Sequence, residues 1–210
     1  MSHIVSKVQN SARREQIVRA VFNILSAGEE VNTLTIGAIA RETGVSTADI
    51  YRHFKSKDEI IEETVTKVHL ELMKNLTYLY DSDPSPLISL KRFYLLHLDF
   101  LETRKGIARL AFSGGILKAG SASQRKIDYL LDTYSAGLVN VIEKGKKIGD
   151  IRKAVDPKAS AMVLIGMVQA ITLKWLVSDF SFPLVDEGMM LWHGYENFLT
   201  YDSNIVGRQK

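Results

Sequence analysis

The stretch TIGAIARETGVSTADIYRHFKSK, residues 35–57, decides the fold. Thr35 stands where it can cap a short helix through Ile36, Ile39 and Ala40, since its hydroxyl can accept an amide proton that a helix start leaves unpaired. Thr43-Gly44 stops that helix, glycine supplying the left-handed conformation of a tight exit. Ser46, with Asp49 three residues on, opens the next helix in a capping-box-like arrangement, and Ser56 with Glu59 repeats the device one helix later. Two short helices joined by a glycine-containing turn match a helix-turn-helix, whose second helix enters the major groove of DNA. Ile36, Ile39, Ala40, Val45, Ile50 and Phe54 are its expected core. That leaves Thr47, Ala48, Tyr51, Arg52 and His53 on or near the outer face of the second helix. Lys57 falls at the start of the following helix, where its amine and the helix amides can hold a phosphate.

Outward from this motif the signals are helical. A preceding helix is expected from about Ser11, with Ile17, Val18, Val21, Phe22 and Leu25 on one face and Gly28 just past its end. After the motif, Ile61, Val65, Val68, Leu72, Leu76 and Leu79 recur at helical spacing, predicting one amphipathic helix of about six turns. Residues 81–86, DSDPSP, break it. Further helices are predicted over about 86–102, 104–113, 122–147 and 157–177, and Pro183 and Asp186 precede a last one ending near Leu199. Asp156-Pro157 serves as N-cap and first helical position. No β-branched alternation bounded by hairpin turns stands out, so the expected fold is all-α with about nine helices. An N-terminal helix-turn-helix domain over 1–57 precedes a larger helical domain over 58–210.

The chain holds 46% hydrophobic and 24% charged residues, an ordinary globular balance. It has no cysteine, which excludes disulfides and thiolate metal sites. The apolar run Ala159–Leu173 is shorter than the roughly 20 residues a bilayer-spanning helix needs. Residues 1–9 lack the apolar centre of a signal peptide. The expectation is a cytoplasmic protein with no membrane partner. Residues 1–57 carry eight basic side chains against five acidic ones, whereas nineteen of each balance over the remainder. The excess positive charge sits in the first quarter, as a phosphate-facing segment requires.

The helix pattern over residues 12–60 strongly resembles the TetR/AcrR family of one-component repressors. The resemblance rests on Thr35-Ile36 before Ile39-Ala40, Gly44-Val45-Ser46, Ile50-Tyr51, His53-Phe54 and Ser56-Lys57-Asp58. It implies an all-helical homodimer released from double-stranded DNA when a small molecule binds its C-terminal domain. It further implies that Thr35 and Tyr51 contact the DNA backbone, that His53 and Lys57 reach phosphates, and that Thr47, Ala48 and Arg52 take base-reading positions. Arg52 suits specific readout, since a guanidinium pairs bidentately with guanine O6 and N7. Gly37 falls where some members carry a base-contacting side chain, a contact this chain lacks. Asp49 is read as a helix-capping acid.

Residues 157–177 are apolar nearly all round, which means burial on every side. Ala159, Gly166 and Ala170 recur on one face and would admit a second helix closely, while Met189, Trp192, Tyr195 and Leu199 form a stripe on the last helix. Two such helices from each chain would make the four-helix bundle by which the resembling family dimerises. Tyr94, His97, Phe100, Arg109, Phe112, Tyr129, Tyr134, Met162 and Gln169 lie on the helices that enclose the family's effector pocket, a mix that suits a mostly apolar cavity. Each is also compatible with plain core packing. No cofactor is expected. The five histidines are scattered, with no HExxH and no phosphate-binding glycine loop, which disfavours an all-helical enzyme. A DNA-binding protein of the same fold that answers to a protein partner instead of a small molecule stays open.

Overall fold

The structure is a computed structural model that describes residues 2–80, 85–114, 116 and 119–201. The described residues form ten helices: α1 (Ser2–Ser26), α2 (Ile36–Thr43), α3 (Thr47–His53), α4 (Lys57–Asn75), α5 (Thr77–Tyr80), α6 (Pro86–Glu102), α7 (Lys105–Ala111), α8 (Ala122–Ile148), α9 (Pro157–Val177) and α10 (Leu184–Thr200). No strand occurs among them. The all-α expectation stands. Two boundaries move: α1 begins at Ser2, not near Ser11, and the six-turn helix is interrupted at Leu76, leaving α5 as a single turn. Part of the expected 81–86 break lies outside the described residues.

Two compact units pack separately, one of Met1–Glu71 with Arg104–Asp128, the other of Leu72–Thr103 with Tyr129–Lys210. In the first, Ile17, Val21 and Leu25 of α1 close over Ile39 and Ala40 of α2, Ile50 of α3, Phe54, and Ile60, Ile61 and Val65 of α4. The predicted caps are made. Thr35 Oγ1 accepts from the Ala38 amide at 3.1 Å, and Ser46 Oγ from the Asp49 amide at 3.1 Å. Gly44 sits at φ 70°, its amide donating to the carbonyls of Ala40 and Arg41. The Ser56 box is shifted by one residue on one side: Ser56 Oγ accepts from the Glu59 amide at 3.2 Å, and the Glu59 carboxylate accepts from the amide of Lys55, just before Ser56, at 2.7 Å. Helix α7 also packs here, against α1. Its Gly106 permits the approach, because a Cβ there would lie 2.6 Å from the Phe22 carbonyl oxygen.

In the second unit α6, α9 and α10 pack on one another. The carboxylate of Glu102 caps α10, accepting from the amides of Leu184 at 2.7 Å and Val185 at 3.3 Å. Tyr94 of α6 donates to the Gly188 carbonyl at 3.2 Å, and its ring lies 6.0 Å from that of Trp192. Tyr195 donates to the Ser160 carbonyl at 2.9 Å, tying α10 to α9. Asp156 caps α9 through the Ala159 amide at 2.7 Å. Helix α9 spans the predicted 157–177, and by length and composition its 21 residues could cross a membrane. One wall of it, Ala161, Leu164, Ile165, Val168, Ile171 and Trp175, is buried within this chain, as in a core helix of a folded domain.

Candidate nucleic-acid interface

Helix α3 has seven residues, too few to hold itself, so packing must fix its orientation. Ile50 is fully buried and Phe54, its C-cap, is 2% exposed. With that side pinned, Thr47, Ala48, Tyr51 and Arg52 are exposed together, Tyr51 at 56% and the Arg52 side chain at 77%. An exposed tyrosine beside an exposed arginine is what a phosphate-facing and base-facing surface needs. Thr35 is exposed at the N-terminus of α2, its hydroxyl already engaged as the cap. His53 is half-buried, with Nδ1 2.9 Å from Asn10 Oδ1. Lys57 is half-buried and its amine donates to the Asn32 carbonyl at 3.4 Å. A Cβ at Gly37 would be in ordinary contact with Thr35 Oγ1 at 3.9 Å.

Asp49, read from sequence as a helix-capping acid, lies in the first turn of α3 but turns its carboxylate to arginines. Its carboxylate lies 3.7 Å from Arg13 Nε and 3.4 Å from Arg52 Nη1. An acid on the recognition helix is therefore neutralised by two arginines, one of which it steadies on the exposed face. Arg13 and Arg14 were absent from the sequence-based site. Arg14 lies 3.9 Å over the Phe54 ring, donates to the His53 carbonyl, and meets Glu59 at 3.3 Å and Glu63 at 3.4 Å. Their only sequence signal was an Arg-Arg pair one turn before the apolar stripe that begins at Ile17.

The expected effector residues divide between the two units, Arg109 and Phe112 in the first and the others in the second. Tyr94, Phe100 and Tyr134 are buried in the second unit, and the neighbouring His97 is mostly enclosed. The rings of Phe93, His97 and Tyr134 pack at 5.0 to 6.2 Å, and Tyr134 donates to the Leu72 carbonyl at 2.8 Å. His97 Nδ1 and Asn75 Nδ2 are buried without a hydrogen-bond partner. Burial pushes the His97 imidazole down to about 4. Arg109 and Phe112 belong to the first unit, and Phe112 and Tyr129 are exposed. Met162 and Gln169 face outward on α9, the side opposite its packed wall, so neither lines an interior. Among the described residues no cluster of three or more His, Asp or Glu could hold a metal ion.

The expected dimer stripe is also corrected. Trp192 and Leu199 are fully buried and Tyr195 is 4% exposed, because they pack inside the second unit, and Met189 is half-buried. The exposed apolar side of α10 is instead Met190, Leu191 and Phe198, with Gly194 opening on free space. On α9 the small residues Ala159 and Ala170 are exposed, Gly166 also opens on free space, and Met162, Val163, Leu173 and Val177 extend the face.

Residues 27–64 match the family model for bacterial regulatory proteins of the tetR family, and residues 72–193 match that for the C-terminal region of YsiA-like proteins. The nucleoid occlusion factor SlmA of Vibrio cholerae is 25% identical over 170 residues, which are 81% of this chain and 87% of that protein. The crystal structure of the transcriptional regulator FadR from Bacillus subtilis in complex with stearoyl-CoA superposes with a TM-score of 0.71 at 17% identity, covering 86% of this chain and 96% of that one. A SmeT–triclosan complex superposes with a TM-score of 0.72 at 20% identity, covering 91% and 93%. These are regulators and a nucleoid occlusion factor rather than enzymes. The chain belongs to the tetR family of bacterial regulatory proteins.

Proposed function

We propose that this protein is a cytoplasmic repressor that binds a palindromic operator as a homodimer and releases it on binding a small molecule. Residues 1–57 read DNA, and residues 58–210 carry dimerisation and the effector response. The observation that carries the reading is the exposed set Thr47, Ala48, Tyr51 and Arg52 on a helix pinned from behind by Ile50 and Phe54. Arg52 and Thr47 read bases, Tyr51 and Thr35 touch the backbone, and His53 and Lys57 approach phosphates, Lys57 by leaving the Asn32 carbonyl. Dimerisation uses the exposed faces of α9 and α10, where Gly166, Ala170 and Gly194 admit a second pair of helices. A two-fold dimer would set two recognition helices about 34 Å apart, one turn of DNA.

The effector is a molecule with a substantial apolar part, bound near Tyr94, His97 and Tyr134. Two fold neighbours hold stearoyl-CoA and triclosan. The buried aromatic cluster of this chain, with the unpartnered Nδ1 of His97 within it, offers apolar walls and a sparse polar anchor of that kind. Binding there would bias α4, whose last turn holds the Leu72 carbonyl that Tyr134 grips. Differential affinity for two positions of α4 would couple the sites.

A second reading is favoured by the Vibrio cholerae relative, a nucleoid occlusion factor. In it the same DNA-binding head answers to a protein partner. Selection of a random duplex pool by the purified protein tests the shared part. Enrichment of a palindrome, with affinity falling steeply as salt rises, supports operator binding, and failure to enrich any sequence refutes it. Adding stearoyl-CoA or triclosan to the complex separates the two controls, since release supports a small-molecule effector and undisturbed binding favours a protein partner.

A further inference from the structure

The head contains a three-way junction that DNA reading alone does not require. Arg14 leaves α1 and lays its guanidinium 3.9 Å over the ring of Phe54, the residue that ends the recognition helix. One edge of the fork donates to the His53 carbonyl, the last carbonyl of α3. The remaining donors meet two carboxylates of α4 one turn apart, Glu59 Oε1 at 3.3 Å and Glu63 Oε2 at 3.4 Å. Glu59 is itself fastened, because its other oxygen accepts the Lys55 amide at 2.7 Å. A single planar group thus spans the end of α3 and the first two turns of α4.

The exposures argue against a purely stabilising role. Arg14, Glu59 and Glu63 have side chains 28%, 34% and 35% exposed, and ion pairs so open to solvent add little to folding stability. The head has its own apolar core, with Ile17, Val21, Leu25, Ile39, Ile50 and Ile60 all fully buried. That core fixes which side of α3 faces inward. Polar contacts from α1 hold its two ends: Arg13 to Asp49 at 3.7 Å in the first turn, and Arg14 at the last. Arg14 is the one of the two that also holds α4.

We propose that Arg14 is a positioning residue that locks the recognition helix to α4 through Glu59 and Glu63, so that base discrimination depends on where α4 stands. This rests on the operator-binding reading above. Lysine cannot replace it, because one ammonium group cannot stack flat on Phe54 while sharing separate donors between a carbonyl and two carboxylates. Base contacts need the helix placed within a fraction of an ångström, whereas contacts to phosphates tolerate more movement. Losing the lock should therefore degrade discrimination more than DNA affinity as such.

The test uses full-length protein, the duplex enriched by pool selection and a scrambled duplex of equal length, with thermal unfolding alongside. Arg14→Lys keeps the charge, so scrambled-duplex affinity should stay within about twofold while enriched-duplex affinity falls about tenfold. Glu63→Gln removes a negative charge, which by electrostatics alone would raise affinity for both duplexes. The lock predicts instead that its ratio of enriched to scrambled affinity falls about fivefold, and that the double variant is little worse than Arg14→Lys. Ratios within twofold of the parent in folded variants would overturn the proposal, as would Glu63→Gln raising both affinities equally. Should Arg14→Lys not fold, Glu63→Gln decides alone. If the parent itself fails to discriminate, the operator reading fails and the lock with it; discrimination in the parent and both variants alike defeats only the lock.

Discussion

Acid should loosen the second unit at a pH where carboxylates are still charged, through His97. Its ring lies 6.2 Å from Phe93 and 5.7 Å from Tyr134, its Nδ1 is buried without a partner, and burial pushes its titration from 6.5 to about 4. In the unfolded chain the imidazole takes a proton near pH 6.5, while in the fold it stays neutral until about pH 4. Between those values the unfolded state binds more protons, so stability falls as pH falls. At about 1.4 kcal/mol per pH unit, the loss reaches about 2 kcal/mol by pH 5 and about 3 kcal/mol by pH 4. Glu59 does not confuse the window. The Lys55 amide, and after it Arg14, hold its carboxylate below the usual 4.5, so its contribution disappears only at more acid pH. The assay is urea unfolding of the parent and His97→Phe between about pH 7.5 and about pH 5. The phenyl ring keeps the packing and cannot titrate, so the parent should lose about 2 kcal/mol relative to the variant over that range. Parallel stability curves for the two proteins would refute the reasoning.

Three further outcomes follow from particular contacts. Arg52→Ala should cost about 1–3 kcal/mol, concentrated at one base pair of the half-site; binding to an operator panel with single substitutions checks it, and an unchanged penalty profile would remove Arg52 from base readout. Gly106→Ala should destabilise the first unit by about 1–3 kcal/mol, because the new Cβ would press on the Phe22 carbonyl at 2.6 Å and on the Ser26 amide at 3.1 Å; thermal unfolding measures it, and an unchanged midpoint would mean that α1 and α7 yield freely. Phe198→Glu places a charge on the exposed side of α10 and should convert a dimer to monomers in light scattering with loss of operator affinity. A dimer of unchanged affinity would move the interface elsewhere.

Short-range chemistry made the head legible. Thr35, Gly44, Ser46 and Ser56 act on backbone groups within four residues of themselves, and each does what its type and spacing predicted. The same locality let Ile50 and Phe54 be assigned inward and Tyr51 and Arg52 outward. Arg14 could not be found that way, because its partners His53, Glu59 and Glu63 are 39 to 49 residues distant.

Helix faces were the harder matter in the second unit. In α9 apolar residues surround the helix, so no periodicity marks an inner side, and Met162 and Gln169 were assigned inward although they are exposed. In α10 two apolar stripes run side by side, and the one chosen for the dimer, with Trp192, Tyr195 and Leu199, is the one the chain buries. Sequence alone therefore determined the helical class, the capped helix-turn-helix and its outward residues, because hydrogen bonds and packing within a few residues set those features. Which side of α9 and α10 is core, where α7 packs, and what Arg14 holds were decided only by tertiary structure, because they depend on which distant helix arrives to cover each face.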